Sequence, residues 1–147
     1  MITYRVDIAV DRPADDVFPF LADIATYPQW MGGISTEAIS PGPLAPGFRY
    51  RYQMDEGEFE FEVTSVMPGR GFSARTVTGP MDWTGTFEVD PDGDGRSRVV
   101  SSGSVGLRGI RRLIEPLAGG EVRQREQAEL ERLKNLVEGQ TVGAAAG

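Results

Sequence analysis

The 147-residue chain has no cysteine and no histidine. The first absence excludes disulfides and thiolate metal sites and fits a reducing compartment. The second removes the commonest general base, the Ser-His-Asp type of triad and the commonest metal ligand. Any acid–base chemistry must then come from Glu, Asp, Tyr, Lys or Arg. Basic residues are also in deficit: 15 Lys and Arg against 22 Asp and Glu leave a formal net charge of −7. Nucleic acid and anionic membrane are poor partners for such a chain. No apolar run approaches a membrane span, and the opening MITYRVDIAV lacks the basic and long apolar regions of a signal peptide. These absences predict a cytoplasmic protein with no membrane insertion.

Turn formers are plentiful, with 19 Gly and 10 Pro, which suits many short strands. The length fits a single domain, placed at 1–139, with a flexible tail over 140–147.

The stretch EVRQREQAELERLKNLVE, Glu121 to Glu138, organises the rest. Val122, Leu130, Leu133 and Val137 fall near one helical stripe with Glu126 among them, and Gly139 stands where a C-cap would. Such a helix needs a surface to lie on. Upstream, Ile2, Tyr4, Val6, Ile8 and Val10 alternate with more polar residues as a half-buried strand does. Asp11 is placed to cap a helix over PADDVFPFLADI, and Pro19 predicts a break into two short pieces ending at Trp30. A short strand follows at Ile34–Ile39. Phe48–Met54 and Phe59–Met67 form a hairpin about the Asp55–Gly57 turn. Three more strands end at Leu107. A further helical segment, Arg108–Leu117, carries Ile110, Leu113, Ile114 and Leu117 at helical spacing.

VFPFLADIATYPQW, with Asp23, Tyr27, Pro28 and Trp30, resembles the first helices of the START-like, or SRPBCC, superfamily. ELERLKNLVEG resembles the end of that superfamily's long helix. The nearest group is the polyketide cyclase/dehydrase and ligand-transport branch. The resemblance implies an α+β helix-grip fold: a curved seven-stranded antiparallel sheet around a long C-terminal helix, with two short helices after the first strand. It also implies an apolar cavity between helix and sheet that holds a small hydrophobic molecule. The family's cyclases place an arginine near the end of the strand before the Pro-Gly turn; here that strand reads Val63-Thr64-Ser65-Val66-Met67, without one.

The inward stripe is rich in aromatics. Tyr50, Tyr52, Met54, Phe61, Phe72, Trp83 and Phe87 are candidate ligand contacts, and solid core is the competing reading for each. Trp30 is a candidate gate at the pocket mouth, or a plug between short helices and sheet. Glu126 is a candidate ligand anchor or general base, unless the helix is rotated so that it meets solvent. Glu126, Tyr50 and Tyr52 are the candidate catalytic groups. Arg75 and Asp82 should point outward. So should Arg49 and Arg51, opposite Glu58, Glu60 and Glu62. Asp90, Asp92, Asp94 and Gly95 match half of a calcium loop, but its twelfth position is Ser101 rather than Glu, so no metal is expected. No cofactor is expected either.

Three functions fit: a binder of a small hydrophobic, polyketide- or lipid-like molecule, a polyketide cyclase or dehydratase using the same cavity, and a protein–protein module with a filled core and an exposed apolar patch. Monomer and homodimer both remain open.

Overall fold

The computed structural model describes the backbone of residues 1–146 and the side chains of residues 1–139, so the side chains of the tail 140–147 fall outside the described residues. Seven strands form one antiparallel sheet: β1 (Ile2–Val10), β2 (Ser35–Ala38), β3 (Arg49–Met54), β4 (Gly57–Met67), β5 (Gly71–Thr78), β6 (Asp82–Pro91) and β7 (Ser97–Gly106). Their order is β1-β7-β6-β5-β4-β3-β2, so β1 and β2 are the two edges. Three helices, α1 (Ala14–Ala22), α2 (Tyr27–Trp30) and α3 (Gly119–Ala146), complete the chain, with 3-10 segments at Ile24–Thr26 and Gly109–Leu117. This is the helix-grip arrangement that the resemblance implies.

Alternation sets which face of each strand is covered. Ile2, Tyr4, Val6 and Val10 of β1 are buried, while Thr3, Arg5 and Asp7 are exposed. Register shifts between β4 and β5, at Glu60/Phe61 and Val63/Ser65, interrupt the ladder and bend the strands there. Against the inner face lie Leu130, Leu133 and Val137 of α3, all fully buried. At about 1.5–3 kcal/mol for each such side chain, this contact fixes the helix on the sheet. Val122 is only half-buried, at the end of a second, smaller core with Ile2, Tyr4 and Val105.

Several local expectations need correction. Pro19 lies inside α1 without breaking it; the chain turns instead at Asp23, whose extended backbone ends α1 and whose carboxylate accepts from Ala25 N–H at 3.0 Å. Pro19 is the sixth residue of α1, so its missing N–H costs the Asp15 carbonyl its intrahelical partner, and the helix ends one turn later. Asp11 does not cap α1, which begins after Pro13; its own N–H is bound by Glu138 at 2.9 Å. Gly139 does not end α3, which passes through it. In the Gly109–Leu117 segment the helical spacing of apolar residues does not mark a buried face. Ile110, Leu113, Ile114 and Leu117 are 54–84% exposed, because a 3-10 turn brings every third residue into line and the segment packs on little else.

Candidate functional site

Cross-strand pairing assembles an aromatic wall. Tyr50 stands opposite Phe61, and Tyr52 opposite Phe59, in the β3–β4 hairpin. Phe72 of β5 faces Phe87 of β6, and Trp83 faces Val105 of β7. Phe61 and Trp83 meet edge to face, with ring centroids 5.5 Å apart. Glycine makes room for the indole: a Cβ at Gly85 would lie 2.4 Å from Trp83 Cζ2. The indole N–H donates to the Tyr4 hydroxyl at 2.6 Å, fixing the ring's orientation. Tyr52 donates to the Gly32 carbonyl.

Between this wall and α3 lies an open space of about 110 Å³. Tyr50, Tyr52, Met54, Phe61, Phe72, Trp83, Phe87 and Glu126 line it, as do Phe59, Met31 and Met81. Several hundred Å³ is the size usual for ligand sites. The observed space is smaller, near the roughly 150 Å³ of an apolar cavity that takes one benzene. The aromatic side chains interdigitate more than a large pocket would allow.

Trp30 is not at the mouth. It is fully buried, edge to face with Phe87 at 5.3 Å and with Tyr27 at 5.6 Å, and it donates to Thr26 Oγ1 at 3.2 Å. It is the plug between short helices and sheet. At the rim Arg125 of α3 is ion-paired with Glu56 of the β3–β4 turn, and both line the space.

Glu126 does point inward and is only 8% exposed. It accepts from Ser101 Oγ at 3.3 Å. Beside it is Glu129, 5% exposed and also lining the space, hydrogen-bonded to Glu126 through their carboxyl groups. Such a bond requires a proton between the two. Burial pushes both carboxyls up; for Glu129 the negative charge of Glu126 adds to it and carries it well above the ordinary range. The pair as a whole therefore holds a proton more tightly than a free glutamate does. Burial likewise pushes the hydroxyls of Tyr4, Tyr50 and Tyr52 up, so all three stay neutral. Tyr50 is 2% exposed, and its hydroxyl has no hydrogen-bond partner among the described residues.

The sequence matches the family described as polyketide cyclase / dehydrase and lipid transport over residues 1–138. The chain belongs to this family. No curated protein matches the sequence. Among solved structures, this family member is similar to the di-domain ARO/CYC BexL from the BE-7585A biosynthetic pathway, with 22% identity and a TM-score of 0.75 over 94% of this chain and 47% of that one. It thus spans about half of that di-domain protein. It is also similar to the Zhui aromatase/cyclase from a Streptomyces species, with 18% identity and a TM-score of 0.75 over 92% of this chain and 93% of that one. A conserved protein from Geobacillus kaustophilus has 16% identity and a TM-score of 0.75, over 93% of this chain and 95% of that one. At these identities the likeness is one of fold.

The site of this polyketide cyclase / dehydrase family chain departs from the sequence reading in one major respect. Glu129 has no apolar-stripe signal of its own. It could have been found as the residue three positions after Glu126, which shares its helix face. Other charged candidates are outward. Arg49 pairs with Glu60 at 3.1 Å and Glu62 at 3.3 Å, Arg51 with Glu37 at 3.4 Å, and Arg75 with Glu62 at 2.7 Å. Asp82 pairs with Arg108. In the acidic β6–β7 turn, Asp90 pairs with Arg70 and Asp92 with Arg98. Among the described residues no helix is long and apolar enough to cross a membrane.

Proposed function

We propose that the chain binds a small hydrophobic molecule, one aromatic ring in bulk, in the space between α3 and the sheet. The observation that carries this reading is an unfilled volume of about 110 Å³ walled by Tyr52, Phe61, Trp83 and Phe87. Empty apolar volume costs stability through lost contacts, and an apolar ligand restores them. The family description, with its cyclase, dehydrase and lipid-transport members, supports a small apolar ligand of polyketide or lipid type. A longer molecule of that type would displace the Glu56–Arg125 pair and leave its remainder at the rim.

A second reading, cyclase or dehydratase chemistry, is favoured by the Glu126–Glu129 pair. One carboxyl carries a proton and its neighbour can accept one, which supplies an acid and a base without histidine. Tyr50 and Tyr52 would then orient the substrate. The exposed ridge Ile110–Leu117 supports the interaction-module reading, while the open space weighs against the filled core that reading expects.

Calorimetric titration with toluene tests the first reading. One-to-one binding that Trp83→Ala or Tyr52→Ala weakens, with the fold intact by circular dichroism, supports it. No saturable binding overturns it.

A further inference from the structure

Resting on the reading that the space holds a small aromatic ligand, we propose that it selects a hydrophobic amine, with the ring against the aromatic wall and the ammonium group held by the Glu126 and Glu129 carboxyls. The two carboxyls are buried on the wall of the space and have little to satisfy them. Within the protein Glu126 has the Ser101 hydroxyl, and each has the other. Neither forms an ion pair among the described residues. The nearby cations are engaged elsewhere: Arg125 with Glu56 at the rim, and Arg132 with the Trp30 carbonyl at 2.9 Å. With one proton between them the carboxyls keep one negative charge, which Arg125 and Arg132 offset only from beyond ion-pair distance, and a buried charge without a close ion pair is costly.

The rest of the wall narrows what can enter. Trp83, Phe61, Phe87 and Tyr52 present aromatic rings, which attract cations through their faces. The Tyr50 hydroxyl, on the same wall and without a hydrogen-bond partner among the described residues, offers a further acceptor. A toluene-like ligand fills volume but leaves the carboxyls and this hydroxyl unsatisfied. A carboxylate ligand meets like charge. An alcohol satisfies one hydrogen bond and leaves the charge. An ammonium ion neutralises the charge and donates up to three hydrogen bonds.

The groups facing the carboxyls are Tyr4 on β1, Tyr52 on β3, Ser101 on β7, and Arg125 and Arg132 on α3. Burial holds the Tyr4 and Tyr52 hydroxyls neutral, and the Glu56 carboxylate holds Arg125 in its charged form. The carboxyls, pushed up by burial, give up protons above the ordinary glutamate value, and each proton lost strengthens the hold on a cation.

Benzylamine, benzyl alcohol and toluene have nearly the same shape, and titrating each into the wild-type protein at pH 7 tests the proposal. Benzylamine should bind about tenfold tighter than benzyl alcohol or more, the scale of a charge-assisted hydrogen bond with a cation–π contact. That ratio should grow from pH 5 to pH 8 and fall to about one in the double variant Glu126→Gln/Glu129→Gln. If that double variant does not fold, Glu129→Gln alone and the wild-type pH series give the same reading. Benzyl alcohol binding as tightly as benzylamine, or a ratio indifferent to pH, overturns the proposal while leaving the apolar site in place. If none of the three binds, the apolar-site reading fails and the proposal with it.

Discussion

Glu126 and Glu129, three residues apart on α3, turn their carboxyls to one buried wall and hydrogen-bond through a shared proton. The ordinary glutamate value is 4.5, and both groups titrate above it in the folded protein. The folded state therefore binds more protons than the unfolded chain once the pH exceeds 4.5, and stability falls as pH rises through the folded values. Exposed carboxylates that lie below the ordinary value, such as Glu62 beside Arg75 and Asp82 beside Arg108, act in the opposite sense and only at lower pH. Urea midpoints of wild type should decline from pH 5 to pH 8, and those of Glu129→Gln should decline less. Parallel pH profiles would show that Glu129 does not carry the raised value.

Leu133 sits at the centre of the buried face of α3 and is fully enclosed. Leu133→Ala should destabilise the protein by about 2–5 kcal/mol, from lost transfer energy plus the cavity left behind. A denaturation midpoint equal to that of wild type would place the helix on the sheet by some other face.

Trp30 is enclosed by Tyr27 and Phe87. Trp30→Ala should cost about 3–5 kcal/mol in stability, as large aromatic truncations in cores do. A gate residue would behave otherwise. A variant of wild-type stability with faster exchange of toluene would restore Trp30 to the mouth.

The Arg125–Glu56 pair closes the rim while remaining partly solvated, with side chains 46% and 26% exposed. Pairs of this kind contribute only about 0–1 kcal/mol. Arg125→Ala should thus change stability little, yet speed both entry and release of an aromatic ligand measured by relaxation dispersion. Unchanged exchange rates would mean that the ligand passes elsewhere.

The fold was legible because its signals are periodic and local. Alternation marked the strands, the Leu130–Leu133–Val137 spacing marked the helix face, and the Tyr27–Trp30 motif carried the family likeness. The site was less so. Periodicity tells which face of β3 Tyr50 and Tyr52 occupy, but not whether helix and sheet close completely over them. That depends on volumes summed across six elements, and the space came out smaller than expected. Glu129 was missed because an acidic residue on a charged helix ordinarily faces water; only the rotation of α3 set by Leu130 and Leu133 buries it. The Ile110–Leu117 segment misled for a related reason, since helical spacing records what can face a core, not whether a core is there.

The acidic turn Asp90–Gly95 pairs its side chains with Arg70 and Arg98. Calcium titration by calorimetry should give no tight binding. Micromolar binding abolished by Asp92→Ala would contradict the reading of this turn.

The chain has 2 tryptophans, and the fold separates them: Trp83 lines the space between α3 and the sheet, and Trp30 lies in closed core. Their indole N–H groups give two resolvable signals in a nitrogen–proton correlation spectrum. Titration with toluene should move the Trp83 indole signal saturably, with one-to-one stoichiometry, and leave that of Trp30 in place. A Trp83 signal that does not respond, or a response confined to Trp30, would contradict the assignment of the space as a ligand site.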